Sequence, residues 1–462
     1  MKRIACLLLI ALLATSTMAC LCNANFFPPP ASLQHVYIRD DGSIDPPSVP
    51  IRRENNIYTF TEDLSNFTLN IQRSNIAVDG AGHVLAGNSS GQGIVMRNVA
   101  GVIIRDLTVR NLREGIELTS SVDCTLSRVT VTKAERGVYL YNSSNNIIQK
   151  STVRANSGDG IVLLDGCNNN SITDSWIADN GNGGISLQAP NTLLNQTACN
   201  QNSIIGNNIT ANAVYGIWIL SSSDCLIQRN TIGNSQWGIQ LHGENCKNTT
   251  IIWNQIRSCR GFGIILAGKT SGNTVAKNTL MWNQVGVDLT LSEDSQFYSN
   301  NFVYNYQQVD THYVGGLEGA PWSLSPRNFW DNGSETGGNY WSDLYRSDDD
   351  DDGYIDTPYI VDENNTDHYP LMQTFGNVEG YAMPTQSPKP STAATPSATA
   401  SPNETYNPHS TPTFPIEIAY LIAFTIAVVA IATAYTVKKR KPHPAPKQDR
   451  QTSSYGKRDD GP

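Results

Sequence analysis

An acidic loop at residues 348–356 has the spacing of a calcium-binding loop. Its loop positions 1, 3, 5 and 9 are Asp348, Asp350, Asp352 and Asp356. Calcium loops use carboxylate oxygens at those positions, a glycine at position 6, here Gly353, and the backbone carbonyl of position 7, here Tyr354. Position 12 is Tyr359 instead of Glu, so the loop is not a complete EF-hand, although Asp362 can supply a late carboxylate. A solvated acidic loop is the alternative.

Three ionisable residues directly precede the glycine of three successive sequence repeats, which are described below. They are Glu114, Arg136 and Asp159. If the repeats stack, the side chains align as acid, base and acid, and Arg136 would be the base of a polysaccharide lyase with a carboxylate-bound metal. The alternative, which we favour, is a charge-compensated surface ladder that contributes little energy.

Aromatic and polar residues recur at outward positions of the same repeats. Tyr139, Trp218 and Gln240 lie second after the glycine, and Tyr141 and His242 follow two residues later. Aromatic rings on a flat sheet can stack on sugar rings, so these five residues are candidate carbohydrate ligands. A structural role is the alternative, since aromatic residues are ordinary strand formers. Roughly nine extra residues near 190–200 are expected to bulge beside Trp218.

Six cysteines lie in the repeats: Cys124, Cys167, Cys199, Cys225, Cys246 and Cys259. An even number of cysteines in an exported chain is compatible with disulfides. Cys225 and Cys246 follow their glycines by nine and eight residues, so neighbouring coils can bring them together, and we predict this pair as a disulfide. Free buried thiols are the alternative, and the pairing of the other four cysteines stays open.

The elements that position these residues are short strands repeated along the chain. A glycine recurs at spacings of 22, 22, 23, 24, 32, 22, 25 and 23 residues, at Gly93, Gly115, Gly137, Gly160, Gly184, Gly216, Gly238, Gly263 and Gly286. The first residue after each glycine is Ile or Val, the third is Met, Leu or Ile, and the second varies. This alternation predicts strands with one buried face.

A unit of this length cannot bury such a face alone, so successive units must stack on one another. Stacked units of one chain place their strands in parallel, and the preferred hand of parallel crossovers is right-handed. We therefore predict an all-β fold, a right-handed parallel β-helix of about nine to eleven coils. A leucine-rich repeat is disfavoured because each unit contains several β-branched strands and no helical stretch.

Asparagines recur at two distances before the glycines. They lie four residues before it at Asn111, Asn156, Asn180, Asn212 and Asn234, and about eight before it at Asn208, Asn230 and Asn278. Stacked amides would form hydrogen-bonded ladders that satisfy the backbone groups of the turns. We therefore assign these asparagines a structural role.

The segments beside the repeats differ in composition. Residues 25–70 contain short strand patterns such as 56–60 and are predicted to cap the coils, which span residues 71–310. Residues 311–381 lose the repeat, are aromatic and acidic, and are predicted to form the second cap. Residues 382–415 are rich in Pro, Ser and Thr, which predicts an extended stalk.

Two apolar segments predict export and a membrane anchor. Residues 1–24 have the basic start, apolar run and small residues of a secretory signal peptide, although a cut after Ala19 would leave Cys20 for lipid modification. Residues 416–437 form an apolar run, which at ~1.5 Å per residue spans ~33 Å and matches a bilayer core. Residues 438–462 carry eight Lys/Arg and three Asp, which predicts a cytoplasmic tail.

The remaining surface signals agree with export. Ten sequons precede the predicted span and are candidate glycosylation sites, at Asn66, Asn88, Asn142, Asn169, Asn195, Asn208, Asn248, Asn332, Asn364 and Asn403. The formal net charge is −9 even though the predicted tail is basic, so the exported part is acidic. An acidic surface without a basic stripe argues against a nucleic-acid partner.

Several of these segments resemble a known family. Residues 75–83 (Asn-Ile-Ala-Val-Asp-Gly-Ala-Gly-His), the glycine repeats and residues 338–343 (Gly-Asn-Tyr-Trp-Ser-Asp) are similar to NosD-type β-helix proteins, also described as carbohydrate-binding and sugar-hydrolase domains. The resemblance covers roughly residues 36–372 and implies a pectate-lyase-like solenoid. The stalk, span and basic tail lie outside it, and together with the many sequons they suggest an archaeal surface protein.

The namesake of that family is a periplasmic protein implicated in the maturation of a copper centre. Copper sites need clustered His, Cys or Met side chains. Here the histidines are scattered, at His35, His83, His242, His312 and His368. The expected ion is therefore Ca²⁺, and copper is disfavoured.

The sequence as a whole predicts a membrane-anchored extracellular β-helix protein that binds carbohydrate or contributes to the cell envelope without catalysis. A polysaccharide lyase or glycoside hydrolase is the first alternative, and a copper-site maturation factor of the NosD type is the second. Carboxylates and a base that converge on one face would favour an enzyme.

Overall fold

The computed structural model describes residues 33–189, 197–311, 326–345, 347–376 and 378. These residues belong to one compact unit that ends at Ala382. The predicted signal peptide, stalk, membrane span and tail lie outside the described residues. Within the described ranges, no helix is long and apolar enough to cross a membrane.

The described strands are numbered β1–β37 in chain order. Before the coils they are β1 (Gln34–Ile38), β2 (Ile44–Asp45), β3 (Ile51–Glu54), β4 (Ile57–Phe60), β5 (Leu64–Ser65) and β6 (Phe67–Ile71). Through the coils they are β7 (Ala77–Asp79), β8 (Val84–Ala86), β9 (Gln92–Arg97), β10 (Ile103–Arg105), β11 (Thr108–Thr119), β12 (Thr125–Ser127), β13 (Thr130–Tyr141), β14 (Ile147–Gln149), β15 (Thr152–Arg154), β16 (Ile161–Leu164), β17 (Ser171–Thr173), β18 (Trp176–Ala178), β19 (Gly183–Gln188), β20 (Ser203–Ile205), β21 (Asn208–Thr210), β22 (Tyr215–Leu220), β23 (Leu226–Gln228), β24 (Thr231–Gly233), β25 (Trp237–His242), β26 (Thr250–Ile252), β27 (Gln255–Arg257), β28 (Phe262–Ala267), β29 (Thr274–Ala276), β30 (Thr279–Met281), β31 (Val285–Thr290), β32 (Gln296–Tyr298), β33 (Asn301–Val303) and β34 (Gln307–Asp310). After the coils they are β35 (Tyr340–Trp341), β36 (Tyr359–Asp362) and β37 (Asn365–Asp367).

Each coil contributes strands to three parallel sheets. The glycine sheet holds the strand at each repeat glycine and runs in the order β6, β9, β11, β13, β16, β19, β22, β25, β28, β31 and β34. The second sheet includes β15, β18, β21, β24, β27, β30 and β33. The third includes β7, β10, β12, β14, β17, β20, β23, β26, β29 and β32. The predicted parallel β-helix is therefore confirmed, while its right-handed winding stays a prediction.

The core follows the alternation read from the sequence. All nine residues directly after a repeat glycine, and all nine in the third position, are at most 2% exposed. Their side chains face one another across the interior of the coils and form a single continuous core. The sequence therefore identified the buried face of the glycine sheet correctly.

The residues second after each glycine are more buried than the sequence predicts, because their outward direction suggested an open surface. Six of these nine residues are buried: Val95, Glu117, Val162, Ser186, Ile265 and Asp288. Neighbouring strands of a sheet lie about 4.8 Å apart, so large side chains in one column shield the smaller ones beside them. Only Tyr139, Trp218 and Gln240 in this column are half-buried.

Asparagine ladders run along the turns, as predicted, but three of the predicted asparagines are not part of them. The longest contains Asn207, Asn230, Asn254, Asn278, Asn300 and Asn339, whose amides are joined by hydrogen bonds of 2.9–3.0 Å. Asn156, Asn180 and Asn212 form another. Asn208 is instead an exposed strand residue, and Asn111 and Asn234 occupy turn positions with φ of 59° and 57°. The neighbour of Asn208, Asn207, faces inward instead.

The segments at both ends pack on the outermost coils. At the start, β1 pairs with β6, and β4, which coincides with the predicted strand at 56–60, pairs with β7. After the last coil, the Trp341 ring lies 4.3 Å from that of Phe302 and 3.9 Å from that of Tyr359. Aromatic residues that the sequence places after the coils therefore stack on one another and on the last coil.

Candidate functional site

The outward surface of the glycine sheet carries the predicted catalytic and carbohydrate-binding residues. Its side chains form three columns: the residue directly before each repeat glycine and the residues second and fourth after it. We call this surface the outer face. A side chain in one column has neighbours in the same column about 4.8 Å away on the adjacent strands.

Glu114 and Arg136 meet on the outer face as predicted. Their residues are aligned on β11 and β13, and the Arg136 guanidinium donates a hydrogen bond to the buried Glu114 carboxylate. Arg113 Nε donates to the other oxygen of Glu114 at 2.8 Å. The Arg136 guanidinium also lies 4.4 Å from the centre of the Tyr139 ring, and burial raises the pKa of Tyr139. The Arg136 guanidinium is occupied by its ion pair with Glu114, so this geometry does not favour Arg136 as a base.

Asp159 does not extend this pair into the predicted acid, base and acid ladder. Its carboxylate accepts hydrogen bonds from Asn182 Nδ2 at 2.9 Å, from the Gly183 backbone N–H at 2.8 Å and from the Tyr215 hydroxyl at 2.7 Å. All three donors belong to later coils. Asp159 therefore turns away from Arg136 because the following coils satisfy its oxygens.

Trp218 lies beside this carboxylate network. Its ring centre is 5.5 Å from that of Tyr215, and its neighbours in the column are Ser186 and Gln240. The Trp218 indole N–H is buried and has no hydrogen-bond partner within the described residues. Burial, and then the charge of Asp159, raises the pKa of Tyr215. We call Asp159, Asn182, Tyr215, Trp218 and Gln240 the Trp218 cluster.

The structure separates the five predicted carbohydrate ligands into two groups. Tyr139 and Tyr141 lie on β13, whereas Trp218 lies on β22, three strands further along the glycine sheet, at roughly 14 Å. His242 is exposed at the end of β25, next to the strand of Trp218. The Asp165 carboxylate holds the Tyr141 hydroxyl and raises its pKa. Of the bulge expected near 190–200, residues 190–196 lie outside the described residues.

Sequence reasoning missed several residues of the outer face. Tyr215 occupies the same position before its glycine as Glu114, Arg136 and Asp159, so this alignment could have identified it. Asp288 and Asp310 are adjacent in the second column and were also missed. Burial raises the pKa of Asp288 to about 6, with the charge of Asp310 adding to the effect and a hydrogen bond from Thr290 opposing it.

The acidic loop brings its first three predicted ligands together. Carboxylate oxygens of Asp348, Asp350 and Asp352 lie within 4.8 Å of one another. Gly353 has φ of 93°, as a sharp turn at loop position 6 requires. Although the Asp352 N–H lowers the pKa of Asp350, desolvation and the neighbouring carboxylates raise it overall. Oxygen atoms so close together suit a hard cation, which would offset their mutual repulsion.

Two other predicted ligands of the loop have defined surroundings. One oxygen of Asp356 accepts a hydrogen bond of 2.7 Å from the Asp349 N–H, across the loop. The Tyr354 hydroxyl donates to the Ser334 carbonyl at 3.1 Å, and the Tyr354 ring packs against Tyr369. The first contact closes the loop on itself, and the contacts of Tyr354 attach it to the neighbouring segments. Whether a cation binds there stays a prediction.

All six described cysteines are free buried thiols, so the structure does not contain the predicted Cys225–Cys246 disulfide. The residue that stacks on Cys225 in the next coil is Thr249, whose Oγ1 accepts the Cys225 N–H at 3.4 Å. Cys246 lies three residues earlier in that coil and therefore in another column. Cys167 and Cys199 are the thiols that meet on adjacent coils, and burial raises the pKa of Cys167.

The sequons within the described residues are accessible with one exception. The exposed ones are Asn66, Asn142, Asn169, Asn208, Asn248, Asn332 and Asn364, whereas Asn88 is half-buried. Asn195 and Asn403 lie outside the described residues. Exposure permits glycosylation and does not demonstrate it, so the use of these sites stays a prediction.

These features define the class of protein: a parallel β-helix whose glycine sheet bears aromatic and charged columns on its outer face. Residues 52–249 and 194–345, which together cover more than half of the chain, match the family model described as "Periplasmic copper-binding protein (NosD)". The chain belongs to the NosD family. The predicted resemblance is thereby confirmed, and a periplasmic family agrees with a β-helix outside the cytoplasm. The predicted archaeal origin stays a prediction.

Solved structures of other β-helix proteins are similar at low identity. The A-module of a mannuronan C-5 epimerase from Azotobacter vinelandii is 16% identical, with 56% of this chain and 86% of that chain covered at a TM-score of 0.39. An alginate lyase from Paenibacillus sp. is 12% identical, with 59% and 97% covered at a TM-score of 0.40. No curated protein matches the chain.

The described residues do not fit the copper that the family description implies. Among them, the acidic loop is the group in which three or more His, Cys, Asp or Glu ligand atoms converge, and its oxygens are hard ligands. His83 and His368 are each bonded to an aspartate, and His35 to Asn70. The thiols of Cys167 and Cys199 form a pair without a third soft ligand within the described ranges.

Proposed function

We propose that this protein is a non-catalytic carbohydrate-binding β-helix that acts outside the cell. The observation that carries the proposal is the Trp218 cluster, in which a half-buried indole with an unpaired N–H lies beside a hydrogen-bonded carboxylate. Buried polar groups without partners are rare, and one on a functional surface calls for a ligand. A sugar supplies an apolar ring face for the half-buried indole and hydroxyl groups for the half-buried amides of Asn182 and Gln240.

The surroundings of Trp218 support a polar ligand with several hydroxyl groups. Gln240 lies beside Trp218 on the next strand, and Asn182 and Tyr215 present an amide and a hydroxyl that are already oriented by Asp159. Groups fixed in this way lose little conformational entropy on binding. The outer face also extends along the strands to Tyr139 and Tyr141, so a polymer could contact both groups.

The proposal includes attachment to the membrane. The apolar run at 416–437, the basic residues that follow it and the signal-like residues 1–24 support a single span with the β-helix outside. The Pro, Ser and Thr-rich residues 382–415 would serve as the stalk. Exposed sequons on the described coils agree with this orientation.

A glycoside hydrolase or lyase is the second candidate function, and one observation favours it. Asp288 and Asp310 are adjacent on the outer face, and a carboxyl group with a pKa of about 6 can act as a general acid. The ion pair of Arg136 with Glu114 argues against the lyase form. Release of reducing ends from a polysaccharide by the full chain, lost in Asp288→Asn, would replace our proposal with this one.

Glycan-array binding by the full chain tests the carbohydrate proposal. We expect Trp218→Ala to lower the affinity for the bound glycan by about tenfold or more, because the ring on which a sugar would stack is lost. Trp176→Ala is the matched control, since Trp176 is an exposed indole on the second sheet that packs under Arg154. Equal binding by both variants and the parent would refute the proposal, as would silence across a broad array.

A further inference from the structure

A second aromatic surface lies away from the outer face, in the last coils. It is a groove of about 520 Å³ at the corner between the second sheet and the glycine sheet, and its lining includes Ser258, Arg260, Trp282, Gln284, Tyr304 and Tyr306. The groove crosses three successive coils, because these residues fall between β27 and β28, between β30 and β31, and between β33 and β34. We call it the corner groove.

The rings of the corner groove are unusually exposed. Trp282, Tyr304 and Tyr306 are 46%, 48% and 85% exposed, which places three aromatic side chains of adjacent coils on one open surface. Most exposed side chains of this kind occur singly, whereas adjacent ones mark binding sites. The rings therefore call for an explanation that core packing does not supply.

The backbone under two of these rings is strained. Trp282 and Tyr304 have φ of 57° and 51°, a left-handed conformation that disfavours bulky side chains. The same position in earlier coils holds small or polar residues, namely Asn111, Lys133, Ala155, Asp179, Ala211, Asn234 and Ser258, and no aromatic one. A large ring at this position therefore opposes local stability, and strain that a fold retains is often tied to function.

Trp253 shows what a structural tryptophan with the same backbone looks like. Its φ is 60°, and its ring packs 5.4 Å from Phe375 and 5.3 Å from the Lys277 ammonium. Within the described ranges, Trp282 has no ring or cation against it. The two rings are almost equally exposed, at 42% and 46%, so Trp253 differs from Trp282 in having side chains that pack against it.

Arg260 gives the corner groove a positive charge. It is exposed, its guanidinium donates to the Ala213 carbonyl at 3.0 Å, and it forms no ion pair with a carboxylate among the described residues. On a chain with a net charge of −9, most arginines of the coils are paired with acids, as Arg97, Arg128 and Arg136 are. The remaining donors of Arg260 are therefore available to an anionic ligand.

We propose that the corner groove binds an acidic polysaccharide, with pyranose rings stacked on Trp282 and Tyr304 and a uronate carboxylate paired with Arg260. The inference rests on the proposed carbohydrate function and adds a second subsite and a ligand charge. A sugar acid matches both features of the groove, because its ring has apolar faces and its carboxylate fits a guanidinium. The Gln284 side chain, exposed between the rings, can meet its hydroxyl groups.

Isothermal titration calorimetry of the full chain with a galacturonate hexamer tests this inference. Trp282→Asn is the main variant, because asparagine suits the left-handed backbone and the same turn position holds Asn111 and Asn234. We expect its melting temperature to stay equal or rise while its affinity for the hexamer falls about tenfold or more. A variant that only disturbed the fold would lose stability together with affinity.

Arg260→Gln tests the charge of the ligand. We expect this variant to lose the preference of the parent for galacturonate over a neutral galactose hexamer, and added salt to weaken only the acidic ligand. Equal affinity of the parent for the two hexamers would overturn the assignment of an acidic ligand. Undiminished binding by Trp282→Asn would overturn the corner groove as a site.

The two proposals fail in different ways. If Trp218→Ala abolishes hexamer binding and Trp282→Asn does not, the carbohydrate function stands and the corner groove is refuted. If the parent binds no glycan at all, both proposals fall together.

Discussion

Asp288 illustrates how one side chain on the outer face responds to its surroundings. Its carboxyl group is 9% exposed, and burial raises its pKa to about 6. A carboxyl group with a raised pKa stabilises the fold in its protonated form. That stabilisation is fully present below the pKa of the unfolded chain, about 4, and is lost as the pH rises through 6.

The pH dependence of stability is therefore a prediction for this residue. We expect the free energy of unfolding to fall between pH 5 and pH 7.5, and Asp288→Asn to reduce that fall by about 1.4 kcal/mol. Urea denaturation at the two pH values measures both. Asp123→Asn, a change at an exposed turn residue, is the control. A variant with the full pH dependence of the parent would show that Asp288 titrates normally.

The sequence predicted which site residues are neighbours only where the glycine repeat aligns them. The second position after each repeat glycine identified Trp218 and Gln240 as neighbours on the outer face. The partners of Asp159 could not be read in this way, since Asn182 and Tyr215 lie 23 and 56 residues further along the chain. Which donors reach a carboxylate depends on side-chain directions, and spacing alone does not specify them.

The turns between strands depend on the asparagine ladders. Asn254 lies at the middle of the longest ladder, where its Oδ1 accepts the backbone N–H and the amide of Asn230 at 2.9 and 3.0 Å. Its own amide donates to the Ile227 carbonyl and to Asn278 at 2.9 and 3.0 Å. One side chain therefore satisfies buried groups in both neighbouring coils.

We expect Asn254→Ala to destabilise the β-helix by roughly 3–5 kcal/mol, because several buried donors and acceptors lose their partner at once. Asn208→Ala, at the exposed strand position, is expected to change stability by less than about 0.5 kcal/mol. Chemical denaturation followed by circular dichroism compares the two. Similar losses in both variants would contradict the assignment of ladder members.

The elements themselves were predictable because their signal is periodic. Nine glycines and their flanking aliphatic residues defined the strands and the inward face before any coordinates. The choice between Asn207 and Asn208 was not predictable, since the two are adjacent asparagines and only the turn geometry decides which one faces inward. The Cys225–Cys246 prediction failed for a related reason, because similar distances from a glycine do not guarantee the same column.

The acidic loop follows the last coil of the β-helix in the chain, beyond the end of the glycine repeat. Within the loop, the Ile355 N–H donates to the Pro370 carbonyl at 2.8 Å. A few residues before Pro370, Asp367 accepts the backbone N–H of Asn339, the last asparagine of the longest ladder. A cation in the loop would therefore be linked to the end of the coil stack. We propose Ca²⁺ as that cation.

Calcium is expected to raise the melting temperature of the full chain, and a chelator to lower it, because binding to the folded state alone stabilises it by mass action. At a concentration of a hundred times the dissociation constant, the gain is about 2.7 kcal/mol. Asp350→Ala should remove the response, and Asp351→Asn, in the same loop but outside the cluster, should keep it. Identical melting of the parent with calcium and with chelator would exclude a structural site.

The longest asparagine ladder has a direction. Every amide donates to the next coil toward the C-terminus, and the series ends at Asp367, whose Oδ2 accepts both the N–H and the amide of Asn339, at 2.7 and 3.3 Å. Each interior rung presents the same acceptor to one side and the same donor to the other, so a coil can be inserted or removed without leaving a group unmatched. The ladder thus resembles a polar polymer with a terminating group: its length can change by whole coils with every amide still matched, whereas loss of Asp367 would leave the donors of Asn339 without this acceptor.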